Sequence, residues 1–395
     1  MSSPLRVIRP LMIMLVTFSI VLPVSAQDEA EVWEVAETVT IETDAYAPKL
    51  SPDGRWVAGV RDLDERQLCV WRVASGEERC NVGSARVAEA TIAWSPDSRF
   101  VAWSQNGHQL DSDVFVLDVL NDSLTNYTDD EVDDLKAAST ANRFVIYDRW
   151  PTWSADGSEI VFLRILDPRS EIGQRQISVS RILLETGQVV RGQDLTTDEP
   201  LEFVAEALGV VTPPVLTPDG TFMFALRGGA DVAGVYAADL DQQSPELFRS
   251  EPAIRPSNVP LITGMTADGG RVSLYWLWGD FGIGGDQYTY GWLDLTSGDI
   301  QPLDARAPRG SIIASPPIFS PDGTAVVYGV TEDTETSRNA TMVVQEMESG
   351  KVTEIATGVS LQFWEGVTGV TWTSGNQIVL PLDDGSFEVI TLERP

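Results

Sequence analysis

Carboxylates dominate the chemistry that this chain has to offer. Its 395 residues hold 59 Asp and Glu against 27 Lys and Arg, a formal net charge of −32, with a single histidine. The acids crowd into the segments between strand-like runs: Asp111 and Asp113, then Asp129, Asp130, Glu131, Asp133 and Asp134, then Asp198, Glu199, Asp280, Asp286, Glu332 and Asp333. A surface of this sign suits a cationic patch on a partner protein, a cationic ligand or Ca²⁺, and it repels phosphate backbones, so nucleic acid is not an expected partner. Calcium takes about six to eight oxygens. Neither 111–113 nor 129–134 follows a D-x-D-x-D-G loop, and Gly282–Asp286 only loosely echoes Gly-Asp calcium repeats. No cofactor is therefore expected, with Ca²⁺ as the exception to test. Two carboxylates could also run glycoside hydrolysis without a histidine, but so many acids leave no pair singled out.

Other catalytic sets are missing from the sequence. His108 stands in Asn106-Gly107-His108-Gln109, a loop tip, and one His with two Cys makes no usual zinc set. There is no Gly-x-Ser-x-Gly elbow and no Gly-rich phosphate loop, so no catalytic residue is assigned. Cys69 and Cys80 flank the turn Ala74–Glu77, which places them opposite or diagonal on a hairpin. A disulfide is expected in an oxidising compartment, the alternative being two buried thiols. Trp276, Trp278, Phe281, Tyr288, Tyr290 and Trp292 cluster in one region. They read more simply as packing between sheets than as a sugar-stacking platform, since Trp276 and Trp278 share a strand face.

The elements that position these residues come from a phrase used seven times. Pro48-Lys-Leu-Ser-Pro-Asp-Gly, Ile92-Ala-Trp-Ser-Pro-Asp-Ser and Pro317-Ile-Phe-Ser-Pro-Asp-Gly are clear copies. Its fourth residue falls at Ser51, Ser95, Ser154, Thr217, Thr266, Ser320 and Thr373. Hydroxyl and Asp side chains, Pro and Gly are turn chemistry, so Asp53, Asp97, Asp156, Asp219, Asp268 and Asp322 are expected to be turn formers. Apolar runs flank each turn and a second turn follows, giving four strands per repeat. Repeats of this length stack sheets that cannot bury their own faces alone. The expected fold is all-β, a seven-bladed β-propeller, with a six-bladed ring plus one degenerate repeat as the alternative. The last repeat supplies only three strands. Residues 34–43, where Val35, Glu37, Val39 and Ile41 alternate with Ala36, Thr38 and Thr40, are expected to complete it. The connections that carry the inserted length, 104–113, 129–148, 166–176, 196–212, 279–287 and 331–340, then fall on one face and hold all the crowded acids named above.

Trp94-Ser-Pro-Asp, Trp153-Ser-Ala-Asp-Gly and Phe319-Ser-Pro-Asp-Gly resemble the TolB-type, WD-like propeller repeats of bacteria, over about residues 45–395. The resemblance implies the propeller fold. It does not extend to TolB's separate leading domain, nor to its role in the cell envelope. Residues 1–26 read as a secretory signal: Arg6 and Arg9, an apolar run from Leu11 to Val24, then Val24-Ser25-Ala26. A short acidic leader, 27–33, precedes one domain, 34–395. The chain is expected to be exported, periplasmic or extracellular, monomeric and without a membrane span after cleavage. Its expected role is a non-catalytic module that binds a protein or other ligand through the acidic long-loop face. The alternative is a secreted, carboxylate-based enzyme acting on glycans or related polymers.

Overall fold

Each copy of the phrase closes a hairpin with its own side chains. The Ser51 N–H donates to Trp56 O at 2.8 Å, its Oγ donates to Asp53 Oδ1 at 2.7 Å, and Oγ accepts the Trp56 N–H at 3.0 Å. Asp53 Oδ1 also takes the Arg55 N–H at 3.0 Å. Gly54 sits at φ 70°, a left-handed geometry that glycine adopts without steric cost. The hydroxyl–carboxylate bond recurs at Ser95–Asp97, Ser154–Asp156, Thr217–Asp219, Thr266–Asp268 and Ser320–Asp322. All six Asp are turn formers, as their place in the phrase implies. The seventh turn has no Asp; it keeps the backbone bonds Thr373 N–H to Gln377 O at 2.9 Å and Asn376 N–H to Thr373 O at 3.0 Å, and of the side-chain bonds the Gln377 N–H to Thr373 Oγ1 bond at 3.3 Å.

The computed structural model describes residues 33–62, 66–80, 87–88, 91–105, 112–129, 144–168, 176–194, 214–226, 234–239, 246–249, 260–278, 287–307, 311–315, 317–332, 339–361 and 370–394. All belong to the unit Val32–Pro395. They contain strands and turns and no α-helix. Strand β1 is Glu34–Ile41. The first sheet holds β2 (Tyr46–Leu50), β3 (Trp56–Asp62), β4 (Arg66–Arg72) and β5 (Glu78–Cys80), and the second β6 (Ala93–Trp94), β7 (Phe100–Ser104), β8 (Val114–Asp118) and β9 (Ser123–Asn126). The third has β10 (Phe144–Trp153), β11 (Glu159–Pro168), β12 (Gln176–Leu183) and β13 (Gln188–Asp194). In the fourth are β14 (Val215–Leu216), β15 (Thr221–Leu226), β16 (Gly234–Asp239) and β17 (Glu246–Arg249). The fifth comprises β18 (Pro260–Met265), β19 (Arg271–Trp278), β20 (Gln287–Asp294) and β21 (Ile300–Pro302). In the sixth, β22 (Ile312–Ile313) and β23 (Ile318–Phe319) both pair with β24 (Ala325–Thr331), followed by β25 (Ala340–Glu346) and β26 (Val352–Val359). Finally β27 (Thr371–Trp372), β28 (Gln377–Pro381) and β29 (Phe387–Glu393) form a sheet whose outer partner is β1, paired antiparallel from Glu34↔Glu393 to Ile41↔Phe387.

Among the described residues, then, the strands form seven sheets. The strands β2, β6, β10, β14, β18, β23 and β27 touch in that order, and β27 touches β2. This is an all-β propeller, in which apolar residues are buried between sheets rather than in one central core. Trp56, Val70, Val101 and Trp103 fill the space between the first and second sheets; Leu50, Trp71, Val379 and Phe387 fill that between the first and the one containing β29. Tryptophans of the phrase also tie neighbours together. Trp94 Nε1 donates to Lys49 O at 2.8 Å, and Trp153 Nε1 to Ala93 O at 3.0 Å.

Strand β1 departs from the expected alternation. Val35 is 43% exposed and only Ile41 is buried. The register shifts between Val35 and Glu37, and an extra residue in a strand resets which side chains face inward.

Candidate functional site

The two ends of the sheets differ in how their polar groups are used. At one end lie the phrase turns. Asp156 shows their electrostatics: the Ser158 N–H and the Ser154 and Ser158 hydroxyls hold its carboxyl at about 2. Hydrogen bonds to a carboxylate favour its charged form, and hydrogen bonds likewise lower Asp219 and Asp268. These acids serve their own turns, but they make this end negative too, so the charge is not confined to the long-loop face.

At the other end the structure brings together the described segments that flank the insertions of the second and third sheets. Asp113 Oδ2 accepts from Asn126 Nδ2 at 2.7 Å and its Oδ1 from Thr128 Oγ1 at 3.3 Å. Thr128 Oγ1 in turn accepts the Val114 N–H at 2.9 Å. The Asp148 N–H donates to Ser112 O at 2.7 Å, and Ser112 Oγ to Asp148 O at 3.1 Å. Segments 112–114, 126–129 and 146–148 are thereby fastened side by side. Asp113 is a positioning group whose two oxygens are both engaged, while Asp129 is exposed. Asp148 is the anchor beneath: its carboxylate, 1% exposed, accepts from Arg164 Nε at 2.8 Å and Nη2 at 2.6 Å. A buried carboxylate needs such a two-bond partner.

Several expected site residues fall outside the described residues: Asp111, Asp130, Glu131, Asp133, Asp134, Asp280, Asp286, Asp198, Glu199, Asp333, His108 and Phe281. So do the side chains of Trp276, Trp278, Tyr288 and Tyr290, and the segments 1–26 and 27–32. Trp292 packs edge-on against Phe319 at 6.0 Å, joining the fifth and sixth sheets. Cys69 and Cys80 face each other across β4 and β5 and are joined as a disulfide. They and Glu78 are the one group of potential metal ligands in reach of each other among the described residues, and their sulfurs are taken up by the bond.

Sequence reasoning missed the setting of Lys49. It occupies the place two residues before the turn hydroxyl, as do Ala93, Thr152, Val215, Gly264, Ile318 and Thr371, and all seven are half-buried on the strands that touch in succession. Lys49 is the charged one, and burial pushes its amine down to about 8. Its offset from Ser51 was the available signal.

No family profile and no curated protein matches the chain. Solved structures do. An oligogalacturonate lyase from Vibrio parahaemolyticus aligns with a TM-score of 0.59 and 11% identity over 92% of this chain and 94% of that one. The β-propeller domain of Myceliophteria thermophila Cps50 (Swd1) aligns at 0.54 with 14% identity, over 89% and 98% respectively. TolB from Acinetobacter baumannii aligns at 0.44 with 18% identity, over 80% of this chain and 64% of its own. At such identities the likeness is one of fold, and the fold is the β-propeller.

Proposed function

We propose that this chain is an exported, non-catalytic propeller of seven blades, TolB-like in its repeats and closed by β1, which binds a protein or other cationic ligand through its acidic long-loop end. Seven sheets, the closed succession of their first strands and the β1–β29 pairing support the blade count and the closure. Export is supported by the charged, apolar and small-residue order of residues 1–26. One observation carries the binding end: segments 112–114, 126–129 and 146–148 are bonded together at the base of two acidic insertions. Rigidly based loops of uneven length are where binding residues concentrate.

The likeness to an oligogalacturonate lyase favours a second reading, a carboxylate-based enzyme acting on glycans. Propellers host both roles, so fold does not separate them. Charge does bear on it: an oligogalacturonate is a polyanion and this chain carries −32, a mismatch for that substrate.

Residues 27–395, immobilised, should capture a partner from the exported protein fraction. Neutralising Asp129, Asp130, Glu131, Asp133 and Asp134 to their amides should abolish capture, while Asp156→Asn with Asp219→Asn should preserve it. Capture indifferent to the loop changes would refute the choice of end. Release of sugar from a neutral glycan by the purified domain would favour the enzyme instead.

A further inference from the structure

Among the described residues, Arg149 is an arginine with no carboxylate partner, in a chain where acids outnumber bases by more than two to one. It is half-buried on β10, and its guanidinium makes no ion pair and no hydrogen bond with the described residues. Its guanidinium carbon instead lies 5.5 Å from the ring centre of Tyr147 and 5.8 Å from that of Trp150. Rings hold a guanidinium by its flat faces and leave its N–H edge for an acceptor. Arg164, opposite Asp148, shows the contrast: its fork is filled by that carboxylate. Asp148 and Arg149 are consecutive on β10 and pair with Arg164 and Leu163, so the buried carboxylate belongs to the opposite face of the sheet from Arg149.

Trp150 adds a second donor without a partner. The residue is 2% exposed and its indole N–H has no acceptor among the described residues, a condition it shares with Trp33, Trp71, Trp103 and Trp372; of these five, Trp150 is the one that directly follows Arg149 in the chain. Its φ is 54°, rare for a bulky residue, and it sits where the β10–β11 register slips between Arg149 and Thr152. The bulge belongs to the repeat, because Ala47, also four residues ahead of the turn hydroxyl and also before a proline, has φ 52°. What sets the third sheet apart is the arginine and the two rings placed on that bulge. Bulges re-aim side chains, and strained backbone gathers at ligand clamps.

We propose that Arg149 and the indole N–H of Trp150 form a subsite for one carboxylate group of a ligand, midway along β10. The planar fork matches the two oxygens of a carboxylate, and the indole adds a third donor. A single negative charge also meets less repulsion from the whole molecule than a doubly charged phosphate does. The subsite does not rest on the cationic partner proposed above, and a ligand carrying both charges fits both.

The test is an NMR titration of ¹⁵N-labelled residues 27–395, following the indole signals of the 12 tryptophans, with that of Trp150 assigned by its loss in Trp150→Phe. N-acetylglycine should move the Trp150 signal saturably, its neutral amide should not, and inorganic phosphate should act more weakly at equal ionic strength. Arg149→Lys, which keeps the charge but loses the fork, should weaken binding by about tenfold. No saturable movement, an equal response to the amide, tighter binding of phosphate, or indifference to Arg149→Lys in a variant that melts normally would each overturn the subsite. If that variant does not fold, the three ligands compared on the unsubstituted protein decide the matter.

Discussion

Of the seven half-buried positions ahead of the turn hydroxyls, Lys49 alone brings a charge, and a buried ammonium is paid for in stability. Its amine titrates at about 8 in the folded chain against 10.5 for an ordinary lysine. A base whose folded value is lowered is more weakly protonated when folded, so stability should rise as pH climbs from about 8 towards 10.5, and the full penalty applies below 8. Lys49→Met should therefore raise the melting temperature at pH 7, by the equivalent of about 1–3 kcal/mol, with a gain that shrinks above pH 10. A lowered or unchanged melt at pH 7 contradicts this, as does a gain that persists undiminished at high pH. The turn residues around Lys49 were legible in the sequence because Ser51, Asp53 and Gly54 act locally, through bonds within six residues. The settings of Lys49, Arg149 and Trp150 were not. A strand's period tells which residues alternate, but not which lie beside another sheet's first strand, and the bulge before Pro48 and Pro151 breaks the period where it matters.

Strand β1 is held by its ends. Its middle is exposed, whereas Ile41 is buried at one end and Trp33, 2% exposed, precedes the other. Trp33 meets Trp372 edge-on at 5.5 Å, and the Arg394 guanidinium lies 4.5 Å from the Trp33 ring centre. Arg394 is itself fixed by Glu346 at 3.0 Å and by Thr324 Oγ1, so the last residues of the chain grip the sixth sheet. Trp33→Ala should cost roughly 3–5 kcal/mol, the usual range for deleting a buried large aromatic. Deleting residues 27–44 should lower the melting temperature further, since it also strips the β29 pairing. A truncated chain that melts with the full-length one would show that the ring does not depend on this strand. A last repeat one strand short pointed to the segment that pairs with β29, but the alternation of its residues does not match their burial. The latch was not legible, because Trp33 and Arg394 lie far apart in the sequence and meet through the pairing of β1 with β29.

Across the whole molecule, charge of one sign sets the terms. A net −32 repels itself, and such repulsion weakens the compact state. Salt screens it within about 10 Å at 0.1 M, so raising NaCl from low to moderate concentration should raise the melting temperature. Calcium separates that diffuse effect from a built site. A site saturated a hundredfold above its dissociation constant would add about 2.7 kcal/mol, whereas screening depends on ionic strength alone to a first approximation. Among the described residues the carboxylates that come together do so around donors: Asp113 with Asn126 and Thr128, Asp148 with Arg164, and Asp44 and Glu78 with Arg61. Oxygens engaged in this way are poor calcium ligands, because each would have to give up a hydrogen bond to coordinate the ion. Millimolar CaCl₂ should accordingly stabilise no more than NaCl at matched ionic strength, and a chelator should leave the melt where it was. An excess of several degrees with calcium, reversed by the chelator, would instead place a cation among the acids of 129–134.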